Sequence, residues 1–169
     1  MDDRQCLSAI VAGDETGLRV LHERHLPWLQ ARLFRRCGDH DLVDQAIQDT
    51  FVAVWRSARR YEGRGDVAAW IWGIAIRKLI DLLRAARQQP MIDIQHEPSA
   101  EDVILGLDLN HSDIGTALAD LPEELIGVVM ATVIDGLSGP EAAVLLGIPE
   151  GTVRSRLHRA RQLLAEALT

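Results

Sequence analysis

The chain has 169 residues, of which 47% are hydrophobic and 25% charged, so it can form one domain or two small ones with folded cores. Its net charge of −7 argues weakly against a nucleic-acid partner, and its two cysteines are too few for a disulfide framework and too far apart for a zinc knuckle. Neither a signal-peptide pattern nor an apolar run of the ~20 residues that a membrane helix needs is present, so we expect a cytoplasmic protein without membrane insertion.

The charge is unevenly distributed along the chain. Residues 1–88 carry 14 basic and 12 acidic residues, whereas residues 89–115 carry six acidic residues and no basic one. Residues 116–169 carry seven acidic and four basic residues, and these four are the only basic residues after Arg87. They fall within eight consecutive positions, so an acidic protein still has a segment suited to nucleic acid.

The first half of the chain shows helical periodicity and few strand signals. Leucines recur at threes and fours in residues 18–33, where Pro27 is expected to start or kink a helix. The glycine-aspartate pair at 38–39 predicts a turn before a second helix. The two glycines of residues 61–66 predict a loop before a third helix at 67–87.

The second half begins with a segment that looks like a linker. Residues 89–115 contain two prolines and many acidic residues, with one short helix predicted around residues 101–107. The apolar run 125–134 fits a buried strand or a buried helix, and the helical pattern around it favours the helix. The sequence therefore predicts an all-α protein, with two small helical domains at 1–88 and 116–169 joined by an acidic linker.

A helix-turn-helix is predicted near the C-terminus. Ser138 and Glu141 have capping-box spacing, which predicts the start of a short helix. Gly147 suits a left-handed turn at its end, and Pro149 suits the first turn of the next helix. Two helices separated by a tight glycine-containing turn are typical of this motif.

The second helix of the motif is predicted to be a recognition helix. At 100° per residue, Val153, Leu157, Ala160 and Leu164 form one narrow apolar stripe, so the opposite face is free to enter a DNA major groove. The candidate DNA-contacting residues are Thr152, Arg154, Ser155, Arg156, His158, Arg159 and Arg161.

The alternative is that this segment is a solvated amphipathic helix, in which arginines near the C-terminal end are stabilised by the helix dipole. That arrangement would place the arginines in the last turn, together with acidic residues for ion pairs. Here the arginines begin near the helix start and Glu166 is the only nearby downstream acid, which favours DNA contact. Four phosphate contacts give a salt slope of only about −3.6, so this domain needs a second DNA-binding unit or a partner.

The first domain is predicted to be that second unit. Its basic residues form two groups, one at the end of the second helix and in the following loop, the other along the third helix, and aromatic residues lie between them. This combination suits single-stranded or melting DNA, where exposed bases stack on flat side chains. Trp70 lies on the apolar stripe and is expected in the core, whereas for Trp72 the sequence leaves core and DNA contact equally open.

The stretches "IQDTFVAVW", "GDVAAWIWGIAIRKLIDLLR" and "DGLSGPEAAVLLGIPEGTVRSRLHRARQLL" resemble the extracytoplasmic-function (ECF) group of bacterial RNA polymerase sigma factors. The resemblance covers nearly the whole chain. It implies a protein that binds core RNA polymerase and directs promoter-specific transcription initiation, without a cofactor, a metal or an enzymatic activity of its own. An anti-sigma factor is a further candidate partner.

The resemblance also implies roles for particular residues. The second helix would dock on the clamp coiled coil of the polymerase's largest subunit, through Asp41, Asp44, Gln48, Asp49 and Phe51. The following loop and helix would recognise and open the −10 promoter element, through Arg60, Tyr61, Arg64, Trp72, Arg77 and Lys78. The C-terminal recognition helix would contact the −35 element, and the acidic linker would extend towards the RNA exit region.

The sequence departs from the family pattern at three places. Gln45-Ala46 replaces an acidic residue and a leucine, which could weaken core binding, and Lys78 stands where asparagine is common. Residues 126–128 are apolar where the family often has polar or basic residues. From these we form the hypothesis that the run 125–134 packs against an inhibitory protein or against the first domain.

Three other functions compete with this interpretation. A one-component helix-turn-helix regulator would bind operator DNA without polymerase, but it leaves the two basic and aromatic groups of the first domain without a role. An enzyme is not favoured, because the six histidines are scattered without a metal-ligand pattern and no phosphate loop or nucleophile motif is present. A pure adaptor would leave the recognition helix unexplained.

Overall fold

The computed structural model describes residues 1–63, 65–87 and 117–167, and every regular element in these ranges is helical. The helices are α1 (Asp3–Val11), α2 (Glu15–Cys37), α3 (His40–Ser57) with a 3₁₀ turn (Ala58–Arg60), α4 (Val67–Arg87), α5 (Glu123–Val129) with a π-helical turn (Met130–Ile134), α6 (Gly139–Leu146) and α7 (Glu150–Ala167). The all-α prediction is confirmed. The predicted linker at 89–115, with its short helix, lies outside the described residues.

The chain divides into two compact units. The first consists of Met1–Phe34 and Asp39–Ala85, and the second of Arg35–Gly38 and Ala86–Thr169. The second unit therefore includes the last residues of α2 and of α4 in addition to α5, α6 and α7. No helix in the described ranges has the length and apolarity that a bilayer crossing requires.

Helix α2 runs through Pro27 without ending there. The sequence placed a helix start or a kink at this proline, and the start is wrong, because Pro27 lies inside a helix of 23 residues. A proline removes one backbone hydrogen bond from a helix. Leu21, Leu29 and Leu33, on both sides of it, are fully buried, and their packing holds the helix together across that gap.

Helix α1 was not predicted from the sequence. Asp2 and Gln5 form a capping box at its start, which satisfies backbone N–H groups at the helix end. The Asp3 carboxylate then accepts hydrogen bonds from Arg24 and, at 2.8 Å, from Nε2 of the buried His25. These bonds attach α1 to α2 in the first unit.

The apolar run 125–134 forms the core of the second unit. It is helical, as the sequence favoured, with α5 continuing into the π-helical turn. Leu125, Ile126 and Met130 are at most 2% exposed. They pack in one cluster with the preceding Leu118 and Leu121 and with Ala160 of α7. Residues 125–131 are buried, whereas Val133 is 59% exposed. The hypothesis that this run packs against an inhibitory protein or against the first domain stays a prediction.

An ion pair is buried in the second unit. Arg36, at the end of α2, donates from Nε and Nη2 to the two carboxylate oxygens of Asp135, at 2.9 and 3.1 Å. The side chains of Arg36 and Asp135 are 4% and 0% exposed. Such bidentate pairs are directional and strong once both charges have been removed from water.

The helix-turn-helix has the predicted caps. Ser138 and Glu141 exchange backbone-to-side-chain hydrogen bonds at the start of α6, and Gly147 ends α6 with φ +68°. Arg87 donates a hydrogen bond to the carbonyl of Val144, one of the acceptors that the end of α6 leaves free. Pro149 precedes α7 and its carbonyl accepts the first backbone bonds of that helix. These caps fix where α7 begins and hence which side chains face outwards.

Candidate nucleic-acid interface

Helix α7 has one packed face and one cationic face. Val153 and Ala160 are buried, and Leu157 and Leu164 are half-buried, as the apolar stripe predicted. Of the candidate DNA-contacting residues, Thr152 and Arg156 are half-buried, and the others are exposed: Arg154, Ser155, His158, Arg159 and Arg161. The structure thus brings all seven candidates onto the part of α7 outside the apolar stripe.

Two arginines of this face contact carboxylates that DNA can replace. Arg154 lies 3.3 Å from Glu150, and Arg159 lies 3.9 Å from Glu124. The arginine side chains are 80% and 63% exposed, and the carboxylates about half exposed. Exposed pairs of this kind contribute about 0–1 kcal/mol, so a phosphate or a base edge can displace them at little cost.

The remaining polar groups of the face are also accessible. Ser155 donates its hydroxyl hydrogen to the carbonyl of Thr152 at 3.1 Å, which leaves the hydroxyl oxygen as an acceptor. In the described part of the chain, Arg156, His158 and Arg161 form no ion pair or side-chain hydrogen bond. The face therefore presents several cations and one acceptor to a partner.

In the first unit, the loop after α3 is closed by hydrogen bonds to one carbonyl. The Tyr61 hydroxyl donates to the Gly65 carbonyl at 2.8 Å, and Arg4 of α1 donates to the same oxygen at 3.4 Å. Asp66 then accepts from the backbone of Ala68 at the start of α4. The candidate Arg64 lies outside the described residues.

The structure contradicts the expectation for Trp70 of α4 and decides the case that was left open for Trp72. Trp72, a candidate for DNA contact, is only 5% exposed, and the Arg32 guanidinium lies 4.1 Å from its ring centre. Trp70, expected in the core, is only half-buried and its ring lies 5.3 Å from that of Tyr61, at 56°. The available aromatic surface is therefore Tyr61 with Trp70, and Trp72 is a core residue.

A helical wheel built on the buried leucines predicts this outcome. Trp70 is nine positions from Leu79, about half a turn away at 100° per residue, whereas Trp72 is seven positions away and falls on the same side. Leu79 and Leu83 are fully buried, so they mark the inner face of α4. The broad stripe used for the prediction did not resolve this difference.

The basic candidates of the first unit lie at the surface. Arg60 and Arg77 are exposed and Lys78 is half-buried. Arg77 donates to the Gly73 carbonyl of its own helix at 2.9 Å, which directs its guanidinium along α4. These positions leave the basic candidates accessible to a nucleic acid.

Four of the five candidates for polymerase contact lie on the outer side of α3. Asp41, Asp44 and Gln48 are exposed and Asp49 is half-buried. Phe51 is 5% exposed, with its ring 4.7 Å from that of His22 on α2. Phe51 therefore supports the packing of α3 on α2, and the accessible face is polar and acidic.

The described residues hold no group of three or more His, Cys, Asp or Glu side chains that could bind a metal ion. Cys6 and Cys37 are buried, and no disulfide joins them. Burial raises the pKa of the Cys6 thiol. The surfaces of α7, of α3 and of the Tyr61–Trp70 pair therefore offer a partner positive charges, hydrogen-bond acceptors and aromatic rings.

Two family models match the chain, one in each half. The family described as Sigma-70 region 2 matches residues 21–89, and the family described as Sigma-70, region 4, matches residues 111–164. The first match contains the outer face of α3, the Tyr61–Trp70 pair and α4. The second contains the helix-turn-helix with most of α7.

Curated relatives extend the similarity over nearly the whole chain. The ECF RNA polymerase sigma factor SigM of Mycobacterium tuberculosis is 32% identical over 98% of this chain and 84% of its own length. The ECF RNA polymerase sigma factor SigL of the same species is 30% identical over 94% of this chain and 92% of its own length. Among solved structures, CnrH in complex with the cytosolic domain of CnrY is 29% identical, with 98% and 96% of the two chains covered and a TM-score of 0.46.

Proposed function

This chain belongs to the ECF RNA polymerase sigma factors, and from that premise we propose that it binds core polymerase through α3 and contacts promoter DNA through α7 and the Tyr61–Trp70 pair. The observation that carries the proposal is α7, whose apolar stripe is packed while its cations face outwards. A regulator that acts without polymerase is not favoured, since the relatives cover both halves of the chain.

The outer face of α7 is assigned to the −35 element. A helix that packs by one stripe can enter the major groove by the opposite one, where arginine binds guanine bidentately and phosphates accept from any cation. On binding, Arg154 and Arg159 give up their weak, exposed contacts with carboxylates and contact DNA instead. Four arginine contacts alone give little affinity at physiological salt, so α7 acts within a larger assembly.

The Tyr61–Trp70 pair is assigned to the −10 element. Opening the duplex exposes base faces, and stacking on an aromatic ring contributes about 1–3 kcal/mol per base. Both rings are half-buried, so part of each stays accessible, and the hydrogen bond from the Tyr61 hydroxyl to Gly65 holds one of them in place. Arg60, Arg77 and Lys78 supply positive charge on the same unit.

The exposed acidic face of α3 is assigned to core polymerase. Asp41, Asp44 and Gln48 recur at threes and fours and form one stripe on the helix surface. Such a stripe suits a basic partner helix, and the clamp coiled coil implied by the family resemblance is the proposed one. In this proposal the chain performs no chemical step of its own and acts in the cytoplasm together with the polymerase. An anti-sigma factor as a further partner stays a prediction.

The proposal is tested by transcription in vitro without a chosen promoter. Purified core polymerase is incubated with genomic DNA of the source organism, with and without the purified chain, and the 5′ ends of the transcripts are mapped. A sigma factor produces new start sites that share two sequence elements at fixed distances upstream. A regulator without polymerase-binding activity produces no new start site, and that result would refute the proposal.

The role of α3 has its own matched test. Asp44→Lys reverses one exposed charge of the acidic face, whereas Asp81→Lys reverses an exposed charge on α4. We expect the first variant to lower affinity for core polymerase at least about tenfold, since like charges then face each other. Equal affinities for the two variants would contradict the placement of the polymerase contact on α3.

A further inference from the structure

The N-terminal helix α1 lies beside the loop that carries Tyr61. Arg4 of α1 lines two surface pockets of the first unit, one shared with Tyr61 and Gly63, the other with Gly65 and Asp66. Helix α1 also packs against the 3₁₀ turn that precedes this loop. The loop therefore lies directly against α1.

The carbonyl of Gly65 joins α1 to the aromatic pair. It accepts a hydrogen bond from the Tyr61 hydroxyl at 2.8 Å and one from Nη2 of Arg4 at 3.4 Å. A carbonyl oxygen has two lone pairs, so both donors can bond to it at the same time. The Tyr61 ring in turn lies 5.3 Å from that of Trp70. One backbone oxygen thus connects an arginine of α1 with the surface assigned to base stacking.

The backbone of the loop needs restraints of this kind. Gly65 has φ +81°, in the left-handed region that glycine adopts without steric cost. Glycine also loses more conformational freedom on folding than any other residue, so its own preferences do not hold the carbonyl in one direction. The hydrogen bonds from Tyr61 and Arg4 are therefore the contacts that direct the Gly65 carbonyl.

Helix α1 is a firm support for these contacts, because it is attached closely to α2. The Asp3 carboxylate accepts hydrogen bonds from Arg24 and from the buried His25. A Cβ added at Gly17 of α2 would lie 2.4 Å from the carbonyl oxygen of Cys6, so the backbones of the two helices are in direct contact. A side chain that starts from α1 therefore has a fixed origin.

The position of Arg4 on α1 is not explained by the helix itself. Arg4 is the only basic residue of α1 and lies in its first turn, where the helix dipole disfavours a positive charge. Asp2 and Asp3 precede it directly, but among the described residues Arg4 forms no ion pair and its guanidinium donates to the Gly65 carbonyl. The contact with the loop is thus the interaction that its side chain makes.

We propose that Arg4 is a positioning residue for base stacking, which holds the Gly65 carbonyl and thereby fixes the Tyr61 ring beside Trp70. This role rests on the proposed −10 function and extends it to a helix that precedes the residues matched to Sigma-70 region 2, 21–89. A ring that is held before the DNA arrives loses less conformational freedom on binding. Arg4 therefore raises affinity for the opened strand without touching it.

The first test observes the Tyr61 ring in the free protein. The chain contains one tyrosine, so a ¹³C label in the tyrosine ring reports on Tyr61 alone. In Arg4→Gln the ring should become more mobile, which NMR relaxation records as a lower order parameter. Arg19→Gln, at an exposed arginine of α2 that lines a different pocket, is the matched control and should leave the signal unchanged. Circular dichroism verifies that both variants are folded, and an unchanged ring in Arg4→Gln would overturn the inference.

The second test measures binding of the full chain to a fluorescent 12-nucleotide single-stranded oligonucleotide at several salt concentrations. At 3.4 Å the bond from Arg4 is longer than the usual range, so Arg4→Gln should weaken binding only about two- to fivefold. The salt slope should stay that of the wild type, since no phosphate contact is lost. A slope that is shallower by about 0.7 would show that Arg4 binds a phosphate itself, and the positioning role would be wrong.

A third arm asks whether Arg4 acts through the Gly65 carbonyl. Tyr61→Phe removes the other donor to this oxygen and keeps the aromatic ring. Because both donors restrain the same group, their effects on affinity should not simply multiply in the double variant with Arg4→Gln. Effects that multiply would mean that Arg4 acts independently of this carbonyl, which would also overturn the inference.

These results separate the role of Arg4 from the proposed function. A wild type that binds no oligonucleotide at the lowest salt would refute the −10 assignment, and the positioning role that rests on it. Normal binding by the wild type together with an unchanged Tyr61 ring in Arg4→Gln would refute the positioning role alone. Because new start sites in the genomic transcription assay depend on the wild type alone, that second result leaves the proposed function standing.

Discussion

Removing one partner of the buried Arg36–Asp135 pair should destabilise the second unit far more than the loss of the two hydrogen bonds alone would. Asp135→Asn keeps the shape of the side chain but leaves the Arg36 guanidinium buried beside a neutral amide. The two residues are 4% and 0% exposed in their side chains, so water cannot replace the lost charge. The cost is therefore mainly that of an unpaired buried ion.

The expected magnitude follows from that burial. Breaking a buried pair by removing one partner costs about 3–5 kcal/mol, whereas breaking an exposed pair costs about 0–1 kcal/mol. Arg84–Asp81 supplies the exposed case in the same protein, with a 3.3 Å contact and side chains 50% and 63% exposed. Replacing both buried partners, by Arg36→Met with Asp135→Leu, should recover most of the loss, since both members of the buried pair are then apolar.

Hydrogen exchange of the backbone at 125–134 measures this effect in the second unit itself. A loss of about 3 kcal/mol corresponds to exchange faster by about 100-fold in Asp135→Asn. Arg84→Ala should leave this segment within about threefold of the wild type, and the double replacement should lie between the two. Equal exchange rates in Asp135→Asn and Arg84→Ala would refute the reasoning from burial.

Two further predictions concern a turn and a thiol. Gly147→Ala should lower the stability of the helix-turn-helix by about 1–2 kcal/mol in urea unfolding, since φ is +68° and the added Cβ would lie 3.0 Å from Nη2 of Arg87. Gly151→Ala, at a helical position where the added Cβ would meet no atom within 4 Å beyond its own helix backbone and chain neighbours, should be neutral or stabilising, and the same sign for both would contradict this geometry. Iodoacetamide at pH 8 should alkylate Cys6 slowly in the folded protein and rapidly in urea, because Cys6 is buried and its pKa is raised, and equal rates would contradict that burial.

The helix-turn-helix was predictable in detail because its signals are local. A capping box, a left-handed glycine and a proline each act within a few residues, so Ser138, Gly147 and Pro149 fix the helix ends without help from distant contacts. The narrow stripe of α7 then identified its outer face. Local rules and tertiary packing agree in this part of the chain.

Other features depend on contacts that the sequence does not show. The Arg36–Asp135 pair joins residues 99 positions apart, and no spacing rule connects them. A surface pocket of the first unit, lined by Arg56, Arg60 and Lys78 among others, likewise assembles from α3, the 3₁₀ turn and α4. Trp70 was wrongly expected in the core and Trp72 was left open because the apolar stripe was drawn too broadly, and only the fully buried leucines define which side of α4 faces inwards.

The account depends most on the outer face of α7, and transcription from promoters with altered −35 elements tests it directly. Promoters found in the genomic assay are cloned with the −35 element intact or scrambled. For the wild type and for the double variant Arg154→Ala with Arg159→Ala, initiation from the intact promoter is divided by initiation from the scrambled one. Each lost arginine contact should cost about 1–3 kcal/mol. We predict a ratio well above ten for the wild type and near one for the variant, with unchanged affinity for core polymerase. A variant that keeps the wild-type ratio, or that loses affinity for core polymerase, would contradict the account.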